Sequence, residues 1–255
     1  MLSDKHLKYG FTYFHKDAPQ PRTVTEVAEY QNESILMIDC TQLGDSGNYK
    51  TQKTKKRVLN EWCDFLRENP TAFEELHFCS RMPQILFDAV CAQERLKALH
   101  IKWGVYTDIS RVANLRDLQY LHIGSGAGVQ SIEPIAKLEQ LVALSFENFQ
   151  KIHDYGPLVH LKNLESLTIV GNISCPQYIH VDSLDFLIKM PNLRFFRFLC
   201  VRLASKDMTP VLHLANIEHL SLEMSKETKE IYKQLMLMPK LKYGFLVDKP
   251  ECYTQ

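Results

Sequence analysis

Residues 96–123 read LKALHIKWGVYTDISRVANLRDLQYLHI, and the stretch carries one figure twice, Leu96/Leu99/Ile101 and Leu118/Leu121/Ile123, spaced apolar-x-x-apolar-x-apolar. Upstream the figure appears as Phe73/Leu76/Phe78. Downstream it returns as Leu141/Leu144/Phe146, Leu164/Leu167/Ile169, Leu193/Phe196/Phe198, Ile217/Leu220/Leu222 and Leu241/Gly244/Leu246. The first members of these eight figures stand 23, 22, 23, 23, 29, 24 and 24 residues apart. The two-residue alternation at the centre of each unit predicts a short strand. Units of equal length that trace the same path bury their apolar residues against the next unit, so the strands are expected to stack in parallel as a solenoid of eight rungs.

Before six of the eight strands a second apolar series steps by three: Ile109/Val112/Leu115, Ile132/Ile135/Leu138, Tyr155/Leu158/Leu161, Leu184/Leu187/Met190, Met208/Val211/Leu214 and Tyr232/Leu235/Met238. Joined to the strand figure this gives I-x-x-L-x-x-L-x-x-L-x-x-L-x-[IFL]. The pattern resembles the short, helix-bearing class of leucine-rich repeats, found in phosphatase-regulator-type proteins and in free-standing bacterial proteins. The resemblance covers residues 70–248 and implies an α/β fold with a parallel sheet on the concave face and helices or helical turns outside. The asparagine such repeats carry eight residues after the first strand leucine occurs here only as Asn172; Gly104, Gly126, Phe149 and Val201 stand at matching positions. The 29-residue interval places an insertion at 171–183.

Three regions follow: 1–69 as an N-terminal cap, 70–248 as the solenoid and 249–255 as a tail. In the cap, Ile35–Cys40 reads as a strand able to extend the sheet. Gly44, Ser46, Gly47 and Asn48 mark a loop. Val58, Leu59, Trp62, Phe65 and Leu66 share one face of a helix from Lys55 to about Glu68, closed by Pro70. Gly244 replaces the central leucine of the last rung, so Tyr243 and Phe245 are expected to cover the end of the sheet.

Thirty basic and thirty acidic residues balance, which gives no global field for nucleic acid or an anionic membrane. Seven cysteines without a CxxC pair fit reduced, buried thiols in the cytoplasm better than a disulfide framework. The N-terminus lacks an apolar signal core, and no run is long enough to cross a bilayer. No nucleic-acid or membrane partner is therefore expected. GSGAG (124–128) lacks phosphate-loop spacing and reads as a turn; KTQKTKKR (50–57) reads as a solvated approach to a helix.

Residues between the core positions of each strand face away from the core. The central row is His77, His100, His122, Ser145, Thr168, Arg197, Ser221 and Phe245. The row before it is Glu75, Ala98, Tyr120, Ala143, Ser166, Phe195, His219 and Tyr243; the row after contains Cys79, Lys102, Glu147 and Glu223. Aromatic and arginine side chains give much contact area with few rotamers, so Trp103, Tyr120, Phe195, Arg197 and Tyr243 are the expected anchors of a protein partner, with His100, His122, Lys102, Glu147, His219 and Glu223 around them. Phe195 has a second reading, packing against Phe196, Phe198 or the inserted loop. His77, His100 and His122 stand in adjacent rungs. Imidazoles stacked one above another seldom converge tetrahedrally, so no metal and no cofactor is expected.

No GxSxG, HExxH or Walker pattern appears in the sequence. Together with the solenoid this favours a non-enzyme. The resemblance implies a module that sequesters or inhibits a protein, as an immunity protein does a toxin, with an adaptor or phosphatase-regulator role as the alternative. The alternative of another class is an enzyme or a metal- or ligand-binding protein working at the histidine end of the concave face.

Overall fold

The computed structural model describes residues 1–11, 20–45, 47–172 and 177–254. In chain order its helices and strands are α1 (Asp4–Tyr9), β1 (Thr23–Val24), β2 (Ile35–Ile38), α2 (Gln52–Glu68), β3 (Glu75–Met82), α3 (Gln84–Val90), β4 (Ala98–Gly104), β5 (Tyr120–Ile123), β6 (Ala143–Glu147), β7 (Ser166–Val170), β8 (Ile179–Val181), β9 (Phe195–Leu199), β10 (Val201–Leu203), β11 (His219–Leu222), α4 (Lys226–Leu235), α5 (Phe245–Asp248) and α6 (Glu251–Thr254). Nine strands form one sheet in the order β1-β2-β3-β4-β5-β6-β7-β9-β11. Every pairing in it is parallel.

The register aligns the repeat figure rung by rung, Leu76 beside Leu99 beside Leu121 beside Leu144 beside Leu167 beside Phe196 beside Leu220. All seven side chains are fully buried. The apolar triplets stepping by three become 3-10 turns at Ser110–Asn114, Ile135–Lys137, Gly156–His160, Asp185–Lys189 and Thr209–His213. A step of three suits that helix, in which residues i and i+3 eclipse and so face the core together. Tyr232 and Leu235 instead belong to α4.

The turns leaving the strands explain several glycines. A Cβ on Gly124 would run into the Lys102 carbonyl of the preceding rung, and one on Gly126 into the ring of Phe149. Phe149 is buried and meets Phe146 edge-on at 4.8 Å between ring centres. An aromatic plug thus stands where the repeat pattern leads one to expect asparagine. Asparagines serve at the opposite end of the strands. Asn163, Asn192 and Asn216 each donate a side-chain N–H to a carbonyl of the previous repeat, at Glu139, Lys162 and Pro191, over 2.8 to 3.0 Å.

Four expectations are adjusted by the structure. Of the eight repeat figures seven supply a strand of the main sheet; the eighth supplies only a parallel bridge, His219 to Tyr243, before the chain turns into α5. Gly244 enters that turn with φ 104°, and a Cβ there would run into the Leu220 carbonyl, which leaves no room for leucine. The end of the sheet is covered by Leu246 and Tyr253, whose hydroxyl donates to the Leu222 carbonyl at 2.8 Å, while Phe245 is 40% exposed. The second helix begins at Gln52, not Lys55, because Thr51 caps it by accepting the Thr54 N–H at 3.1 Å. In the long repeat β8 pairs with β10 as a separate two-stranded parallel sheet; residues 173–176 of that insertion, and Ser46 of the earlier loop, lie outside the described residues.

Candidate protein-binding surface

The face of the sheet opposite the leucines carries the two rows read from the sequence, brought into line by the strand register. Glu75, Ala98, Tyr120, Ala143, Ser166, Phe195 and His219 stand in one row, and His77, His100, His122, Ser145, Thr168, Arg197 and Ser221 in the next. Neighbours within a row are about 4.8 Å apart, the spacing of hydrogen-bonded strands. Polar side chains on this face bond to one another. His122 Nδ1 and Ser145 Oγ share a hydrogen bond of 3.0 Å, and His219 Nε2 and Ser221 Oγ one of 2.9 Å.

At the first rungs His77 and His100 stack with ring centres 4.2 Å apart and planes within 4° of parallel. Glu75 lies 2.6 Å from His77 Nε2 and 3.8 Å from His100 Nε2. This is the only trio of acid, thiol or imidazole side chains among the described residues whose donor atoms all come within 4.8 Å. It does not form a common metal site as placed. An imidazole binds an ion at about 2.0 to 2.1 Å in the plane of its ring, and two stacked parallel planes share no such point. Burial pushes the His100 imidazole well below its ordinary pKa, with the nearby His77, His122 and His6 acting in the same sense. Burial alone takes His122 down to about 4.

The sequence reading places the first eleven residues in the N-terminal cap, and the structure lays them across this face. Ser3 caps α1 by accepting the His6 N–H at 3.1 Å, and Gly10 ends it at φ 65° with its N–H on the His6 carbonyl. Leu2 and Leu7 are buried together with Ala143 and Phe195, and Phe11, Tyr120 and Val142 pack around them. His6 Nε2 shares a hydrogen bond of 3.0 Å with Ser166 Oγ, and its ring stands about 6 Å from those of Tyr120 and Phe195. Phe11 reaches the histidine row, its ring centre 5.5 Å from His100 and 5.8 Å from His122. Arg197 donates to the Tyr9 carbonyl at 3.4 Å, a cation at the negative end of a short helix. The local signal was present in the sequence: a serine cap, apolar residues five apart and a closing glycine, in LSDKHLKYG (2–10).

This arrangement sorts the expected anchors. Phe195 has no exposure: its ring lies beneath α1, stacked on His219 at 4.1 Å, with Gly10 against its tip. The second reading of that residue put it against Phe196, Phe198 or the insertion; it is buried, but the cover is α1. Tyr120 and Arg197 are half-buried under the same segment, and His219 is buried. Trp103 is different, 40% exposed with the Arg81 guanidinium 4.9 Å over its ring. Lys102 beside it is exposed, and Glu147, Glu223 and Tyr243 are half-exposed. Burial raises the pKa of Glu147. At the leading edge of the strands Arg194 bridges Glu165 at 3.0 Å and Glu218 at 2.6 Å, and Lys242 adds a second contact to Glu218 at 2.9 Å. That network of charges was not singled out from the sequence.

Two solved structures share the arrangement of stacked strands over half or more of their length. Internalin C2 of Listeria monocytogenes superposes with a TM-score of 0.52 at 19% identity, covering 72% of this chain and 74% of its own. The same organism's internalin InlF does so with a TM-score of 0.55 at 17% identity, covering 82% of this chain and 53% of its own, so this chain spans about half of that protein. The fold is a leucine-rich repeat solenoid. A leucine-rich repeat protein of Leptospira interrogans has a TM-score of 0.48 at 15% identity. No known protein family and no curated protein matches the sequence. Within the leucine-rich repeat solenoid the two rows described above lie on the concave side, and α1 sits over β5, β6, β7 and β9.

Proposed function

We propose that this protein is a non-catalytic binding scaffold that holds another protein against its concave face and inhibits it by occlusion, in the manner of an immunity protein against a toxin. The observation that carries the reading is the side-chain chemistry of that side of the sheet: Trp103 and Tyr243 are partly exposed, Tyr120, Phe195 and Arg197 stand beneath α1, and charges of both signs, Lys102, Glu147 and Glu223, lie beside them. Buried aromatic and arginine anchors ringed by mixed polar groups are what protein interfaces use. A phosphate backbone would meet Glu75, Glu147 and Glu223 as often as a cation. No described helix is long and apolar enough to cross a membrane. Cys40, Cys63, Cys79, Cys91, Cys200 and Cys252 are free thiols, which suits work in the reducing cytoplasm.

The test is capture of the partner by the full chain, followed by titration of the partner's activity. Inhibition is expected to be complete near one equivalent and to survive chelators. Trp103→Ala, which removes the most exposed anchor, is expected to weaken binding by about thirty-fold, the equivalent of about 2 kcal/mol. A partner that stays fully active while bound would replace inhibition by an adaptor role. Protection that persists after this protein has been removed would mean that it modifies the partner chemically.

A further inference from the structure

A six-residue helix does not persist alone in water, because nucleating a turn fixes several dihedral angles for a single hydrogen bond. The surface beneath α1 therefore imposes its helicity, and that surface is shaped for it. Two apolar side chains five residues apart, Leu2 and Leu7, enter a depression made by Ala143, Val142 and Phe195. An aromatic residue four further on, Phe11, lies against His100 and His122. Arg197 addresses the helix's carbonyl end.

These contacts form a cluster separate from the main core. Leu2, Leu7, Ala143 and Phe195 group together, while the leucines of every rung belong to the large cluster on the other side of the sheet. Lifting α1 opens none of that core. It uncovers Phe195, Tyr120 and Arg197, residue types that dominate binding energy at protein interfaces, and it leaves Ser166, His122 and Arg197 to be met by water or by another chain. A segment held by a satellite cluster lies at the low end of local stability, where binding-linked motions occur.

We propose that the concave groove over β5, β6, β7 and β9 is a docking site for one short amphipathic helix of the partner protein, and that α1 is the resident occupant which this helix displaces. The incoming segment carries the same address: a helix of one to two turns with an apolar residue facing the groove, a second apolar residue five positions earlier, before the helix starts, an aromatic four positions later, after it ends, and its carbonyl end over Arg197. The inference rests on the binding-scaffold reading and deepens it, since it makes α1 an internal competitor. A protein whose binding-competent form is only partly populated binds its ligand with an affinity reduced by that fraction, so α1 sets the threshold for the partner.

The probe is a labelled peptide of residues 1–11, MLSDKHLKYGF, added to the full chain. In Leu7→Asp a carboxylate replaces the side chain that α1 sets most deeply in the satellite cluster, and α1 is expected to leave the groove. The peptide should then bind the variant at least about tenfold more tightly than wild type, whose groove is filled. Amide exchange of residues 4–10 should quicken in the variant while that of β4 to β7 is unchanged. The proposal is overturned if the peptide binds neither protein although the variant keeps the wild-type circular dichroism and melting temperature, or if it binds both equally, which would place it elsewhere. Should Leu7→Asp fail to fold, Gly10→Val serves, since a Cβ there meets the tip of Phe195 at 2.8 Å in a backbone conformation with φ 65°. The captured partner separates the two readings. Equal affinity for wild type and the α1 variants ends the displacement proposal and leaves the scaffold standing, whereas loss of partner inhibition with peptide binding intact ends the scaffold reading alone.

Discussion

On one face of the main sheet each strand from β3 to β11 sets down leucine, isoleucine or phenylalanine at the two central core positions of its repeat, and all are buried by the next rung or the outer turns. On the other face the same strands set down Glu75, His100, Tyr120, Ser145, Thr168 and Arg197, which share no rule of polarity or size. The first face is dictated by period, since an apolar side chain there removes its own surface and its neighbour's from water. The second is free of that demand, so its composition reflects whatever lies on it. Over β5 to β9 that is α1; at β3 and β4 it is the pair of stacked imidazoles with the Arg81–Trp103 stack at their edge. Stability belongs to one side of the strand and the proposed recognition to the other, although they are one residue apart in sequence.

The comparison can be broken most forcefully at Leu144. Its replacement by alanine in the middle of the leucine column should remove about 2 to 5 kcal/mol of unfolding free energy, read from the urea midpoint. If instead the change proved as mild as a surface substitution, the core would not be continuous across the rungs. Gly124→Ala comes next. Its Cβ would meet backbone, the Lys102 carbonyl, which cannot rotate away as a side chain can, so a loss of about 1 to 3 kcal/mol is expected in the same measurement.

Acid should discriminate between the faces without any mutation. His6 is held down to about 4 by burial and then by Arg197, and His219 to about 3 by burial first and Arg197 next, a backbone bond to Leu7 opposing. Ser166, Tyr120, Phe195, Phe11, His100, His219 and Arg197 are the groups that face His6. A released His6 titrates near its ordinary value of about 6.5, so the docked state, which binds fewer protons, is fully favoured above that pH and loses ground as pH falls towards about 4. Exchange of the α1 amides should therefore accelerate between these limits while β6 amides hold, and His6→Gln should flatten the profile. Uniform acceleration of both regions would tie α1 to the global core. The smallest effect belongs to Trp103→Ala on stability. Its melting curve should match wild type within about 0.5 kcal/mol, because its ring contacts Arg81 outside the core.

Most of the solenoid was legible because each rung restates it. Leu99, Leu121 and Leu144 fall in register by alternation alone, and Val112, Ile135 and Leu158, stepping by three with their neighbours, belong to the helices or helical turns expected outside, which are 3-10 turns. What escaped is what occurs once. The helix α1 is shorter than the window in which a helical period becomes visible, and its partners Ala143 and Phe195 are more than a hundred residues away in sequence. Phe195 itself illustrates the limit: alternation correctly puts it outside the leucine core, yet no local pattern says that Gly10 and Leu7 will cover it. Asn163, Asn192 and Asn216 were visible one position before each strand figure but were sought eight residues after it. The pairing of β8 with β10 depended on an insertion with no second copy to compare.

The meeting of Phe149 with Gly126 bears on how such a chain can change over generations. Arrays of this kind are usually pictured as beads that can be added or dropped, each copy interchangeable with the next. Here the surplus volume of one copy occupies the deficit of the copy before it. Deleting the unit that bears Phe149 would leave a void beside Gly126, and duplicating it would set the second aromatic ring against the first, because the copy before it would then offer a phenylalanine rather than the hollow at Gly126. The number of copies is thus fixed by fit between unlike neighbours, and the lineage is expected to vary by substitution within units while preserving their order.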